Sequence, residues 1–237
     1  KYHLDKPALV QYWYWLKSLV TFDLGYSFAY KAKVSSVIGS RAWNTLVLSL
    51  ASIILTWFVV IPVGVICALK KRSLTDRALS LLSYLGLSLP GFFLALILLY
   101  GVSHTGLLPL GGMKSVHYFE MNRVQRFFDL IRHLILPTLV LSLGSIASLQ
   151  RIMRANMLEV LNKPYILAAR ARGLPTARVL FVHALRNAVN PMVTIFGYQF
   201  SALLSGAALI EIVFGWPGLG TVMLEAVQSQ DLYLVMG

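Results

Sequence analysis

The sequence predicts an all-α, polytopic membrane protein. Three observations carry that class. Hydrophobic residues fill 57% of the 237 positions and charged residues only 13%, about half the charged share that covers a soluble domain. Uncharged apolar runs near the length of a bilayer crossing recur along the chain, and such a crossing needs about 20 residues. Positive charge is gathered into particular links, as expected where cytoplasmic loops collect Lys and Arg. The same composition excludes disorder, which goes with scarce apolar residues and abundant charge. The single cysteine, Cys67, excludes a disulfide scaffold and a Cys-rich metal site. A net charge of +12 would suit nucleic acid on a soluble surface, but with a mean hydropathy of +0.71 it belongs at a lipid bilayer.

Residues 1–44 read as an amphipathic, aromatic-rich extracytoplasmic segment. Residues 45–237 form one membrane domain with predicted spans near 45–69, 79–103, 134–155 and 187–210. The third continues as a helix through Arg151 and Arg154 into the aqueous phase. The link Lys70 to Arg77 packs Lys70, Lys71, Arg72 and Arg77 together. The link near 156–186 carries Lys163, Arg170, Arg172, Arg178 and Arg186 against Glu159 alone. Both basic links therefore face the cytoplasm, while the N-terminal segment, the loop His104 to His133 and the tail after Ile210 face out. No segment has the layout of a cleavable signal peptide. Lys1 opens the chain and a new apolar run begins at Leu234-Val235-Met236-Gly237, so one further span is expected beyond each end.

The long cytoplasmic link holds the most informative stretch, from Asn162 to Pro175. Pro164 suits the first turn of a helix, where its missing N–H costs nothing, with Asn162 or Lys163 before it. Gly173 suits the left-handed residue that closes a helix, and Pro175 prevents continuation. Ala168, Ala169 and Ala171 give the helix a thin profile that lets a partner's backbone approach. Tyr165, Arg170 and Arg172 supply polar edges. That profile fits a docking helix better than a solvated basic loop. A second helix, apolar at Val179, Leu180, Val182 and Leu185, then leads through His183 and Arg186 to Asn190-Pro191. A proline there kinks or breaks the helix, which marks the pair as a candidate hinge.

The link resembles the EAA loop of permease subunits of binding-protein-dependent ABC importers. Ala168 and Ala169 match its alanines and Gly173 its glycine, whereas Leu167, His183 and Arg186 depart from the general pattern. Those departures resemble the dipeptide, oligopeptide and nickel permeases, whose loop reads much like Ala169-Arg170-Ala171-Arg172-Gly173-Leu174 followed by His183-Ala184-Leu185-Arg186-Asn187-Ala188 and Pro191. Four further stretches agree with that subgroup. They are Leu4-Asp5-Lys6-Pro7 with Gln11-Tyr12-Trp13, then Asp23-Leu24-Gly25-Tyr26-Ser27, Met157 to Leu161, and Glu211 to Gly220 with its Trp216-Pro217-Gly218-Leu219-Gly220.

The resemblance implies the type I ABC importer fold with six spans in the full chain, in a bacterial cytoplasmic (inner) membrane. It implies a second, different permease chain, two cytoplasmic ATPase subunits and an extracytoplasmic solute-binding protein as partners. This chain would bind no cofactor, with ATP and Mg held by the ATPase subunits. Residues Tyr165, Ala168–Gly173, His183 and Arg186 would couple to an ATPase, moving the spans between inward-open and outward-open arrangements by differential binding. The substrates implied are peptides or similar small polar solutes.

Other signals point away from chemistry in this chain. Gly111-Gly112-Met113-Lys114-Ser115 lacks the spacing of a phosphate-binding loop and reads as an outer turn. The five histidines show no metal-ligand spacing. The central parts of the spans lack ionisable residues, which argues against the alternatives of an intramembrane enzyme and a secondary transporter. An ATP-independent channel is the other alternative. Ser142, Ser145, Gln199 and Ser201 are candidates to line a pore, although small hydroxyls in spans more often bond helix backbone. Glu211, Asp23 and Tyr26 are read as lying on the outer side, Glu211 at a water-facing helix end.

Overall fold

The computed structural model describes residues 7–21 and 23–236, and Leu4-Asp5-Lys6 lies outside them. Helix α1 (Ala8–Val20) precedes a two-residue hairpin, β1 (Tyr26–Ser27) with β2 (Ala32–Lys33), paired antiparallel with Tyr26 opposite Lys33. Helix α2 (Val34–Leu69) follows, then α3 (Leu74–Ser88) and α4 (Gly91–Thr105). Helix α5 (Arg123–Leu161) leads to the short α6 (Pro164–Ala171). Beyond it run α7 (Thr176–Arg178), a π-helical stretch (Val179–Leu185), α8 (Arg186–Val213), α9 (Leu219–Gln228) and α10 (Leu232–Met236).

Helices α2 and α5 form the most extensive pairing in the chain. With 36 and 39 residues, each is longer than the roughly 30 Å hydrocarbon layer that about 20 residues would cross. Both therefore project beyond it. Among the described residues, three helical stretches, Val34–Leu69, Arg123–Leu161 and Thr176–Tyr198, are long and apolar enough to span.

The observed elements differ from the predicted spans in instructive ways. The first begins at Val34 rather than at residue 45. Arg41 does not end it, because its guanidinium lies over the Tyr30 ring at 5.7 Å, so the charge is accommodated at the outer end. The third begins at Arg123 rather than 134, behind a capping box. The Asn122 side chain accepts from the Gln125 N–H at 2.9 Å, and the Gln125 side chain accepts from the Asn122 N–H at 3.0 Å. The largest correction concerns 79–103, which is two helices. Leu89 is extended (φ −104°, ψ 133°) because proline drives the preceding residue out of the helical region. Pro90 then caps α4.

The core has three parts. The inner cluster gathers Val60, Met153, Met157, Ile166, Val179, Ala188 and Met192 from α2, α5, α6, the π-helical stretch and α8. A second, at the outer end, joins α4 to Leu136, Val140, Ile210 and Phe214. A third packs the start of α2 on α9 and α10. There the buried Asp231 accepts from the Ser27 hydroxyl at 2.7 Å and the Ala29 N–H at 3.1 Å, tying the hairpin to the end of the described chain.

Candidate functional site

The segment Asn162 to Pro175 has the predicted punctuation. Lys163 is extended (φ −71°, ψ 145°) ahead of Pro164, which takes the first helical position. The far end is a Schellman closure. Gly173 sits at φ +75°, its N–H bonds the Arg170 carbonyl at 2.9 Å, and the Leu174 N–H reaches back to the Ala169 carbonyl at 3.3 Å. Leu174 packs against the inner cluster, and Pro175 follows.

One face of α6 is bolted down and the rest is free. Ile166 is fully buried and Ala169 nearly so, both in the inner cluster with Met153, Met157 and Val179. Tyr165, Leu167, Ala168, Arg170, Ala171, Arg172 and Gly173 are exposed. Among the described residues, no carboxylate pairs with Arg170, Arg172, Arg178 or Arg186, the nearest ion pair being Glu159–Lys163 at 2.7 Å. The structure thus brings together an anchored helix with an unneutralised basic surface.

The π-helical stretch joins α6 to the long α8. It carries the half-buried His183, whose carbonyl accepts from the Asn187 side chain at 2.7 Å. Arg186 is exposed at the junction. Of the two effects expected of Asn190-Pro191, a kink or a break, the break does not occur: α8 runs unbroken from Arg186 to Val213 with Pro191 inside it. Pro191 falls in the second turn, and the wider turns just upstream, over Val179–Leu185, already depart from α-helical bonding.

Two polar networks escape sequence reading. Arg154 does not project into water as expected. Its Nε and Nη2 donate to the two Asp76 oxygens at 2.8 and 2.7 Å, and the Arg72 N–H donates to Asp76 at 2.9 Å. This ties α5 to the start of α3 beside Cys67, which accepts from the Gln150 side chain at 3.2 Å. The signal available was Asp76, an acid in the first turn of a helix within a basic link.

The second network corrects the reading of Glu211. It is fully buried, accepting from the Thr45 hydroxyl at 2.6 Å and the Gly220 N–H at 2.7 Å. Asn44 donates to the Pro217 carbonyl at 2.7 Å, and the buried Trp216 donates back to the Asn44 carbonyl at 3.0 Å. The outer turn 214–220 is thus fastened to α2. The Gly112 N–H, in the predicted outer turn, bonds the Phe214 carbonyl at 2.8 Å.

Of the pore candidates, Ser142 is buried and donates to the Leu139 carbonyl of its own helix at 3.0 Å, so it packs rather than faces open space. Ser145 is half-buried, its carbonyl accepting from Ser148 at 3.0 Å. The side chains of Gln199 and Ser201 lie outside the described residues. Ser49, Ser52, Thr56 and Thr138 are buried hydroxyls without a hydrogen-bond partner among the described residues. Asp23 is exposed and accepts from the Gly25 N–H at 3.3 Å, while Tyr26 stays part-exposed in the hairpin. Among the described residues no group of three metal-ligating side chains converges. Among the described residues, the buried ionisable Asp129 and His133 lie in the first third of α5, and Glu211 lies near the end of α8.

Residues 60–236 match the family described as the binding-protein-dependent transport system inner membrane component. The oligopeptide transport system permease protein AppB of Bacillus subtilis is 41% identical over 238 residues, covering 100% of this chain and 74% of that protein. The dipeptide transport system permease protein DppB of Escherichia coli is 38% identical over 251 residues, covering 99% and 74%. Among solved structures, the MetNI methionine ABC transporter in inward-facing conformations aligns with a TM-score of 0.62 at 17% identity, covering 84% of this chain and 87% of that one. That likeness establishes the fold. A uniform family match over most of the chain, on a helical frame of this layout, makes the chain a member of the binding-protein-dependent permeases, multi-pass components of the inner membrane.

Proposed function

We propose that this chain is a permease subunit that imports peptides by alternating access, driven by ATP hydrolysis on two separate cytoplasmic ATPase subunits that hold the ATP and Mg. A second permease chain completes the pore, and an extracytoplasmic solute-binding protein delivers the substrate. The peptide substrate rests on the relatives named for oligopeptide and dipeptide transport.

Helix α6 is the element an ATPase grips, and the observation that carries this is its mounting. Ile166 and Ala169 lock it to α5 and the π-helical stretch that leads into α8, so force on its exposed Tyr165, Ala168 and Arg172 reaches long helices rather than a loose loop. Small residues at 168 and 171 admit a partner backbone, and the unpaired arginines suit an acidic rim.

The test replaces Gly173 with Val in the assembled transporter. A Cβ at Gly173 meets nothing within 4 Å, so the strain comes from φ +75° alone and stays at the helix end. Transport and binding-protein-stimulated ATPase activity fall about tenfold, the effect of roughly 1.4 kcal/mol, with normal membrane insertion. Unchanged transport would remove α6 from the coupling path.

A further inference from the structure

Glu211 is a fully buried carboxyl on a helix of a membrane protein, and among the described residues no cation pairs with it. Its surroundings are built around it. One oxygen accepts from Thr45 of α2 and the other from the Gly220 N–H in the first turn of α9, while Glu211 itself belongs to α8. Thr45 also accepts from the Leu219 N–H at 2.8 Å, so two amides at the start of α9 are held by this pair of side chains. The backbone closes over the carboxyl: a Cβ at Gly218 would lie 2.1 Å from a Glu211 oxygen, and one at Gly220 would lie 2.3 Å from the Ala208 Cα. The preceding backbone folds back as well, the Trp216 N–H bonding the Glu211 carbonyl at 2.7 Å.

An apolar side chain would fill this space at lower desolvation cost. What a carboxyl adds is two fixed acceptors aimed at two different elements. We propose that Glu211 is the positioning residue of the outer gate: it clamps α8, α2 and the start of α9 into one body, so that displacement arriving through α6 and α8 moves the extracytoplasmic turn with them. The path is continuous. Helix α6 packs on the π-helical stretch, which runs directly into α8, and α8 ends at the clamp. Cutting the clamp leaves α8 free to move without carrying α9, so ATP is spent without opening the outer side in step. This rests on the ATP-driven reading above, and the experiment separates the two.

The assembled transporter is reconstituted in lipid with Glu211→Ala, Glu211→Gln and wild-type permease. Hydrogen exchange of residues 215–228 is measured alongside substrate transported per ATP hydrolysed. In Glu211→Ala, exchange at Leu219 and Gly220 rises about tenfold, since an amide hydrogen bond is lost. Transport per ATP falls to a similar degree while ATPase activity persists. Glu211→Gln, which keeps an acceptor and the shape, stays within about threefold of wild type on both measures. A purely structural role would lower ATPase activity and transport in equal proportion, leaving their ratio untouched, and that result would overturn the proposal. Unaltered exchange at 215–228 in Glu211→Ala would overturn it equally. If wild-type transport proves independent of ATP, the ATP-driven reading fails instead, and the exchange data still decide whether the clamp exists.

Discussion

Asp76→Asn is the sharpest stability test of the inner end. Asp76 is buried and takes two bonds from the Arg154 guanidinium at 2.7 and 2.8 Å plus the Arg72 N–H at 2.9 Å. The substitution keeps the volume and removes the charge, leaving a guanidinium facing a neutral amide. Breaking a buried pair this way costs about 3–5 kcal/mol. The Arg154 side chain keeps 29% of its surface exposed, and solvent screening brings the cost down to about 2–3 kcal/mol. Each kcal/mol moves the melting point of a chain this long by roughly 2–4 °C, so the midpoint drops by about 4–12 °C. Cys67, the single cysteine and fully buried, provides the assay: a fluorogenic thiol reagent reports its exposure as the protein is heated in mild detergent. The double variant Asp76→Leu with Arg154→Met recovers most of the loss, because an apolar pair carries no stranded charge. A single variant melting within about 1 °C of wild type, less than half the smallest expected shift, would refute the reasoning. So would a double variant no better than the single one.

Three further outcomes follow from packing and charge. Gly220→Ala forces a Cβ to within 2.3 Å of the Ala208 Cα and 2.8 Å of its carbonyl oxygen, so backbone must shift, and thermal unfolding shows a loss of about 3 kcal/mol. Thr56→Val removes a buried hydroxyl that has no partner among the described residues; the same assay shows no loss, or a gain of up to about 1 kcal/mol. Asp231 is subject to burial, which works against its charge, but the Ser27 hydroxyl and the Ala29 and Leu234 N–H groups hold its carboxyl below the ordinary range. A depressed carboxyl stabilises the fold fully above its unfolded value near pH 4 and loses that contribution as pH falls toward its folded value. Amide protection in residues 26–33 therefore declines on acidification below about pH 4, and Asp231→Asn abolishes that dependence.

Helix α6 was legible because its ends are local chemistry. Pro164, Gly173 and Pro175 each dictate their own backbone, and the structure places all three as their side chains require. The apolar runs were legible as membrane segments but not as helix bounds. Counting charges overlooks Pro90, which splits an uncharged run, and stops short at Arg41, which an aromatic ring shelters. The polar networks were hidden for a different reason. Asp76 meets Arg154 across 78 positions and Glu211 meets Thr45 across 166, and no periodicity in a single chain encodes such pairings. Burial also inverted the reading of Glu211, expected in water and in fact enclosed, while Ser142, a pore candidate, bonds the backbone of its own helix as small hydroxyls in spans more often do.

The bend at Leu89-Pro90 has a consequence for the lipid around the protein. A straight crossing helix meets a thicker or thinner bilayer only by changing tilt, which drags its packed neighbours along. Helices α3 and α4 are instead two rods of 15 residues each, roughly 22 Å apiece, so neither alone covers the roughly 30 Å apolar layer. Both rods pack on α5, so a change of angle at the elbow is felt along that helix. Hydrophobic mismatch met at this joint would therefore reach the α2–α5 pair through α5 rather than through the tilt of one long rod.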